Sequence, residues 1–184
     1  TLGLALLIGL TMAWGFNWPF LKIATSEIPV MQFRAVSTGL AAASLLAMAW
    51  LSGQTMAVPR RHWGILVVAA LFNITSWHVM IAFAVTLMAS SGQTAILAFT
   101  MPVWAAILGT FILKEKLTPR RLLALAGGLL AVLLLTWRDL ADIGDHLWGV
   151  ALAVGGAFNW AIGTVIQKRV KWTLPSIPLA GWQM

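Results

Sequence analysis

Apolar residues in this chain gather into long stretches separated by short polar breaks. Six of them, at about 2–24, 30–51, 63–86, 92–113, 119–137 and 147–168, are long enough to cross a hydrocarbon core, which takes about 20 mostly apolar residues. Backbone polar groups inside a bilayer must be satisfied internally, and a helix does this by itself, so the pattern predicts six membrane-spanning helices. A further apolar segment begins near Pro175 and stops at Met184, which reads as an incomplete seventh span. The first stretch starts at Thr1 without an initiator Met or a basic leader, and it is too long for a signal-peptide core, so it is expected to be a true span. Residues beyond both ends are expected in the parent protein. The connections, marked by Pro29, Pro59, Gly92, Pro119 and Gly144, are too short for an extramembrane domain. Any chemistry therefore belongs within the bilayer or at its surface.

Composition agrees with this pattern. Of 184 residues, 60% are hydrophobic and 9% charged, against about 25% charged in ordinary soluble domains. A soluble globular protein is excluded. With no Cys there is no disulfide framework, thiolate metal site or Cys nucleophile, and with no Tyr a common general acid is missing too. The net charge of +7 comes from basic residues clustered between the spans, which points to an anionic membrane face as partner and away from nucleic acid. Alternating the connections between two sides places Arg60, Arg61, Lys114, Lys116, Arg120, Arg121, Lys168, Arg169 and Lys171 on one side. Lys22, Arg34 and Arg138 fall on the other. The positive-inside rule then sets the N-terminus in the cytoplasm and leaves Glu27, Asp139, Asp142 and Asp145 outside. Trp50, Trp63, Trp137, Trp148 and Trp172 fall at span ends, where an amphipathic ring sits among the headgroups, whereas Trp14, Trp18, Trp77, Trp104 and Trp160 lie well inside.

Sliding the chain against itself by 146 residues aligns Gly3-Leu4-Ala5-Leu6 with Gly149-Val150-Ala151-Leu152. In the same register Gly9 meets Gly155, Trp14 meets Trp160, Lys22 meets Lys168 and Pro29 meets Pro175. Leu and Ala coincide freely in apolar segments, but Trp, Lys and Pro do not. The copies are separated by five spans, an odd number, so the second starts from the opposite side of the membrane. That is the inverted repeat of many secondary transporters, with the substrate site near the midplane between the halves. Residues 1–140 would form a first five-helix repeat and 146–184 the opening of a second, from a parent of ten helices.

Four blocks then stand in order: Ala89-Ser90-Ser91-Gly92-Gln93-Thr94-Ala95, Met101-Pro102-Val103-Trp104-Ala105-Ala106, Leu113-Lys114-Glu115-Lys116-Leu117-Thr118, and Ala126-Gly127-Gly128 before an apolar run. Together with Trp14-Gly15 and its counterpart near Trp160, they resemble the EamA-type transporters of the drug/metabolite transporter superfamily. The block from Pro102 to Thr118 is the most specific. The resemblance implies an all-α, ten-helix, two-repeat carrier of the bacterial inner membrane, most often an exporter of amino acids or related metabolites. The present chain departs from that pattern in length, holding about six and a half helices.

Helical spacing supplies candidate cavity residues. On the first span Thr11, Trp14 and Trp18 form one stripe with Asn17 on its shoulder, and Pro19 leaves the Gly15 carbonyl without its donor. The third span carries Asn73, Thr75, Ser76, Trp77 and His78, a cluster that must face protein or water. Asn73 and Trp77 share a face, and His78 lies about 100° round, as ligand donor, proton acceptor or partner of a neighbouring carbonyl. The fourth span aligns Gln93, Thr100 and Trp104, with Pro102 freeing the Ala98 carbonyl, and the sixth adds Asn159, Trp160, Thr164 and Gln167. These residues predict an aromatic and polar but uncharged cavity, with Pro19 and Pro102 as bending points. It suits a zwitterion or a flat organic molecule and no metal ion; no cofactor is implied. The partners are a small molecule and the lipid bilayer, and a monomer is expected. No acid lies within a span, so facilitated export is expected over proton coupling, with His78 the one intramembrane group titrating near neutrality. Arg34 reads as a snorkelling anchor, and Glu115 as a loop cap or minor ion pair.

Three other readings are weaker. Ser91-Gly92 at the head of the fourth span resembles the rhomboid protease arrangement, but residue 89 is Ala where that motif has Gly, and the sixth span has no His to act as base. A small multidrug-resistance carrier would need a carboxylate in the first span, which has Asn17 instead, although efflux of flat cations within the larger fold is compatible with Trp walls. A purely structural subunit would have little use for buried Asn, His and Gln.

Overall fold

The computed structural model describes residues 2–136 and 146–184, and their regular elements are all helical. The expected features at Thr1, Trp137, Arg138, Asp139, Asp142, Gly144 and Asp145 lie outside the described residues. The first two spans are α1 (Leu2–Glu27) and α2 (Val30–Leu51). The third comprises a 3-10 turn (Arg60–His62), α3 (Trp63–Ala70), a π-helical segment (Leu71–Ser76) and α4 (Trp77–Leu87). The fourth is α5 (Ser91–Ala98) and α6 (Met101–Leu113), the fifth α7 (Pro119–Thr136) and the sixth α8 (Leu147–Arg169). The chain ends in α9 (Ser176–Gln183). Among the described residues six helical rods are long and apolar enough to cross a membrane, at the positions the hydropathy predicts.

Two of these rods are not the uninterrupted α-helices that their spacing suggests. The third changes hydrogen-bond pitch across Leu71–Ser76. The fourth breaks at Phe99 and Thr100, where Thr100 N–H donates to the Leu97 carbonyl at 3.1 Å and Val103 N–H to that of Thr100 at 3.0 Å. Pro102 therefore sits in the first turn of α6, where its missing N–H costs least, instead of kinking a helix from within. Pro19 does lie inside α1.

The helix ends follow local chemistry. Ser90 and Gln93 form a capping box at the head of α5: the Ser90 hydroxyl accepts from Gln93 N–H at 3.2 Å, and Gln93 Oε1 accepts from Ser90 N–H at 3.4 Å. Gln93, aligned by spacing with the cavity stripe, is thus spent on starting a helix. At the far end of α2, Gly53 takes a left-handed φ of 66°. Its N–H reaches Trp50 O and that of Gln54 reaches Ala49 O, a paired closure that satisfies the last carbonyls. Lys22 is more than a flanking charge: its ammonium donates to the carbonyls of Val85 (2.7 Å) and Met88 (2.8 Å), while His146 Nδ1 lies 2.9 Å from that of Leu87. A cation on the unpaired carbonyls of α4 satisfies both hydrogen bonding and the helix dipole.

Packing centres on α8. Its buried residues are nearly all small, Gly149, Ala153, Gly156, Ala157, Ala161 and Gly163 among them, and this face lies against the third and fourth spans. In lipid, helix association depends on such close backbone approach, because bilayer tails are as apolar as leucine. The closest approach is at Gly163, where an added Cβ would stand 2.5 Å from Asn73 Cβ and 2.7 Å from the Asn73 Cα and N. A second cluster joins Leu21 of α1, Ile81, Ala82 and Val85 of α4, and Ala98 of α5, flanked by Trp18, Phe33 and Trp77. By contrast, α1 and α7 expose leucines along most of their length.

Gly163→Ala is expected to destabilise the protein by about 1–3 kcal/mol, because the obstacle is backbone and cannot rotate aside. Gly127→Ala, with nothing within 4 Å of its would-be Cβ, is expected to be neutral or slightly stabilising. Thermal unfolding of the two purified variants in one detergent checks the contrast, and equal midpoints would contradict it.

Candidate functional site

The π-helical segment places the polar cluster. At about 100° per residue, an unbroken α-helix would turn His78 about 140° from Asn73. A π turn closes its hydrogen bonds over five residues and narrows that angle, and π turns recur at functional sites. Asn73, Trp77 and His78 accordingly all border one cavity of about 420 Å³. Trp14, Asn17 and Trp18 of α1 form its second wall, Trp160 of α8 a third, and Phe99 and Met101 complete it at the break between α5 and α6. Phe99 tilts against Trp18 with ring centroids 6.5 Å apart.

Seven of the ten expected cavity residues thus meet: Trp14, Asn17, Trp18, Asn73, Trp77, His78 and Trp160. Trp14 and Trp160, aligned by the 146-residue shift, border the same space. Thr100, Trp104 and Asn159 lie elsewhere. The tightened turn at Phe99 and Thr100 brings the two neighbours of Thr100 to the cavity, and its own hydroxyl donates back to Leu97 O at 2.7 Å. Trp104 stands edge-on to Phe158 at 5.4 Å. Asn159 donates to Gly155 O at 2.8 Å and to the Met80 sulfur at 3.5 Å.

Asn73 is 8% exposed and organises a polar chain between the helices. Its amide donates to Trp160 O at 3.2 Å and to the Thr164 hydroxyl at 3.3 Å, and its carbonyl oxygen accepts from Gln167 Nε2 at 3.1 Å. Gln167 in turn donates to Gln183 Oε1 of α9 at 2.9 Å. Buried amides are costly unless paired, and these pair with one another, leaving Asn73 as a positioning group that fixes Trp160 at the cavity edge.

Pro19 borders a neighbouring apolar pocket that shares Trp14, Trp18 and Phe99 with the central one. Pro102 borders a different pocket of about 340 Å³, which shares Trp160 with the central cavity and ends at Glu115, Arg121 and Lys168. Glu115, expected as a loop cap or minor pair, joins three elements there. Its Oε2 lies 3.0 Å from Arg121 Nη1 at the head of α7, and its Oε1 lies 3.3 Å from Lys168 Nζ near the end of α8. The turn is tight: Lys114 takes a left-handed φ of 56°, uncommon outside glycine. Lys168, the repeat partner of Lys22, thus pairs with a carboxylate where Lys22 caps a helix.

Arg34, expected as a snorkelling anchor, also borders a pocket of about 280 Å³ with Thr38, Thr75 and His78. Spacing alone missed this, along with Phe99, Met101 and Gln183, because each depends on a helix break or on a neighbour distant in sequence. No group of three or more His, Asp or Glu that would hold a metal forms among the described residues.

Comparison with known proteins adds lineage to this geometry. The model of the EamA-like transporter family matches residues 1–137. Among curated proteins, "Uncharacterized transporter YoaV" of Bacillus subtilis (strain 168) is 21% identical over 179 residues, covering 97% of this chain and 61% of that protein. "Uncharacterized transporter YvbV" of the same organism is 28% identical over 188 residues, covering 97% of this chain and 58% of its own length. The chain therefore spans about three-fifths of these relatives. No solved structure matches it at a significant level.

The Arg121 hydrogen bond first, and the Lys168 one next, hold the Glu115 carboxyl below its ordinary range. A carboxyl with a depressed folded-state pKa stabilises the fold above its unfolded pKa, and that stabilisation is lost as pH falls through the folded value. Thermal midpoints should therefore fall on acidification through and below the ordinary carboxylate range in the parent protein, and less steeply in Glu115→Gln. The difference should be small because the pair is partly exposed. Coincident acid limbs would remove Glu115 as the clamp.

Proposed function

The chain belongs to the EamA-like transporter family, and from that premise we propose that it forms part of a secondary carrier exporting amino acids or related small metabolites from the cytoplasm. The observation that carries this reading is the central cavity, walled by Trp14, Trp18, Trp77 and Trp160 and carrying Asn17, Asn73 and His78 between them. Ring faces take apolar side chains and attract an ammonium group, while the Asn17 amide and the His78 ring orient polar ends by hydrogen bonding, Asn73 being spent on Trp160, Thr164 and Gln167. The wall contains no carboxylate, which favours facilitated export over proton exchange at this site.

The mechanism is alternating access between two inverted five-helix halves, the first within residues 1–140 and the second opening at 146. The agreement between the family match over residues 1–137 and the first five spans supports that division. So does the meeting of Trp14 with Trp160 at one cavity. Trp160 also borders the pocket that leads to Glu115 and Lys168, so tilting of α8 would connect the centre with the basic, cytoplasmic face. The setting is the bacterial inner membrane with the N-terminus inside, as the basic residues indicate, and the carrier acts as a monomer. A second reading, efflux of flat aromatic or lipophilic cations, is favoured specifically by the four tryptophans.

The test is reconstitution of the intact gene product in liposomes loaded with labelled neutral and aromatic amino acids and one flat cation, with no imposed pH or voltage gradient. Amino-acid efflux supports the first reading, and cation efflux alone the second. Trp14→Ala and Trp160→Ala should each raise the half-saturation concentration about threefold to thirtyfold, the range expected for one ring–cation contact, with normal protein levels in the membrane. Unchanged kinetics in both would displace the site from this cavity.

A further inference from the structure

Beside the tryptophan cavity lies the pocket of about 280 Å³ between α2 and the third span. The two are contiguous through Ile74, His78 and Met184, which border both. The tryptophan cavity carries no charged side chain, whereas the side pocket carries Arg34, with the hydroxyls of Thr38 and Thr75 beside it. The Nε of Arg34 is fully buried and has no hydrogen-bond partner among the described residues. The ion pairs formed among those residues are both made by Glu115, at another site. The guanidinium lies over the ring of its neighbour Phe33, 5.7 Å from the centroid. Arg34 also lies one turn into α2, whose first turn has no acidic residue and whose free N–H groups already carry partial positive charge. An arginine Nε withdrawn from water without an acceptor among the described residues is costly, and the planar fork of the guanidinium matches a carboxylate in shape and charge. Thr38 Oγ1 sits 3.4 Å from His78 Nδ1, so the hydroxyl and the ring border the pocket as a pair.

We propose that Arg34, assisted by Thr38 and His78, forms an anion subsite for the carboxylate of the transported molecule, whose apolar or aromatic part extends into the tryptophan cavity. The carried class is then carboxylates, zwitterionic or anionic, and an amine lacking the carboxylate is discriminated against. This deepens the transport reading and rests on it for the word "transported"; the subsite itself is read by binding. Arg34 is the specificity-determining residue, because it is the one full charge bordering either cavity.

The experiment uses three probes with one ring, L-phenylalanine, 3-phenylpropionate and 2-phenylethylamine, titrated onto the purified intact gene product by calorimetry. The two carboxylates are expected to bind more tightly than the amine. Arg34→Gln should weaken both carboxylates by about tenfold to a hundredfold, the loss of one charge-assisted hydrogen bond or a bidentate pair, while the amine is unaffected or gains. If Arg34→Gln does not reach the membrane, Arg34→Lys keeps the charge without the fork and should weaken the carboxylates severalfold, and Thr38→Val should weaken them less. Equal affinity for amine and carboxylates in the parent, no carboxylate binding at all, or an undiminished carboxylate preference in these variants overturns the subsite. Arg34-dependent binding of phosphatidylglycerol with none of the carboxylates would give the pocket to a lipid headgroup and overturn it as well. Arg34-dependent carboxylate binding without efflux from liposomes would leave the subsite standing and fail the transport reading alone.

Discussion

The contact between Gly163 and the backbone of Asn73 governs this arrangement. With tails as apolar as its own side chains around it, a membrane helix gains little from burying leucine, and association follows from how closely two backbones approach. Here α8 presents glycine and alanine along one face, and the third span lies against it with Asn73 at the nearest point. Once the backbones are that close, the Asn73 amide reaches the Trp160 carbonyl and the Thr164 hydroxyl, and Gln167 closes the chain to α9. A side chain at Gly163 would separate all of these pairs at once.

That contact also sets the aromatic geometry. The change of pitch at Leu71–Ser76 turns Asn73, Trp77 and His78 toward one space, and the pairing of Asn73 holds Trp160 across from them. A cavity so built is held at Asn73 and apolar between its polar points, a combination suited to orienting a small molecule by a few groups while enclosing the rest.

Charge is disposed by the same economy. Lys22 and His146 lie on the closing carbonyls of α4, and Glu115 ties Arg121 to Lys168 where α6 and α8 end and α7 begins. In each case a charged or polar side chain ends on a group of opposite polarity near a helix terminus, where water remains within reach and the cost of desolvation is small. Arg34 is the exception: its buried Nε has no acceptor among the described residues, and the residue borders a pocket.

The hydropathy pattern by itself determined the number of spans, their limits to within a few residues, and the type of side chain available inside them, because the length of a spanning helix and the cost of polar groups in hydrocarbon are local constraints. The tryptophans of α1 and α8 and the cluster at Asn73–His78 were recognisable as cavity residues on the same grounds. Thr100 and Gln93 were misplaced because helical spacing assumes one pitch, and the chain instead breaks at Phe99 and starts a helix at Ser90. Which groups face one another was decided by the tertiary structure alone: that Asn73 is a strut, that Lys22 caps a helix 63 residues away, that Glu115 joins three elements, and that Arg34 shares a pocket with His78. These depend on the distance and rotation between packed helices, which the composition of a single span does not contain.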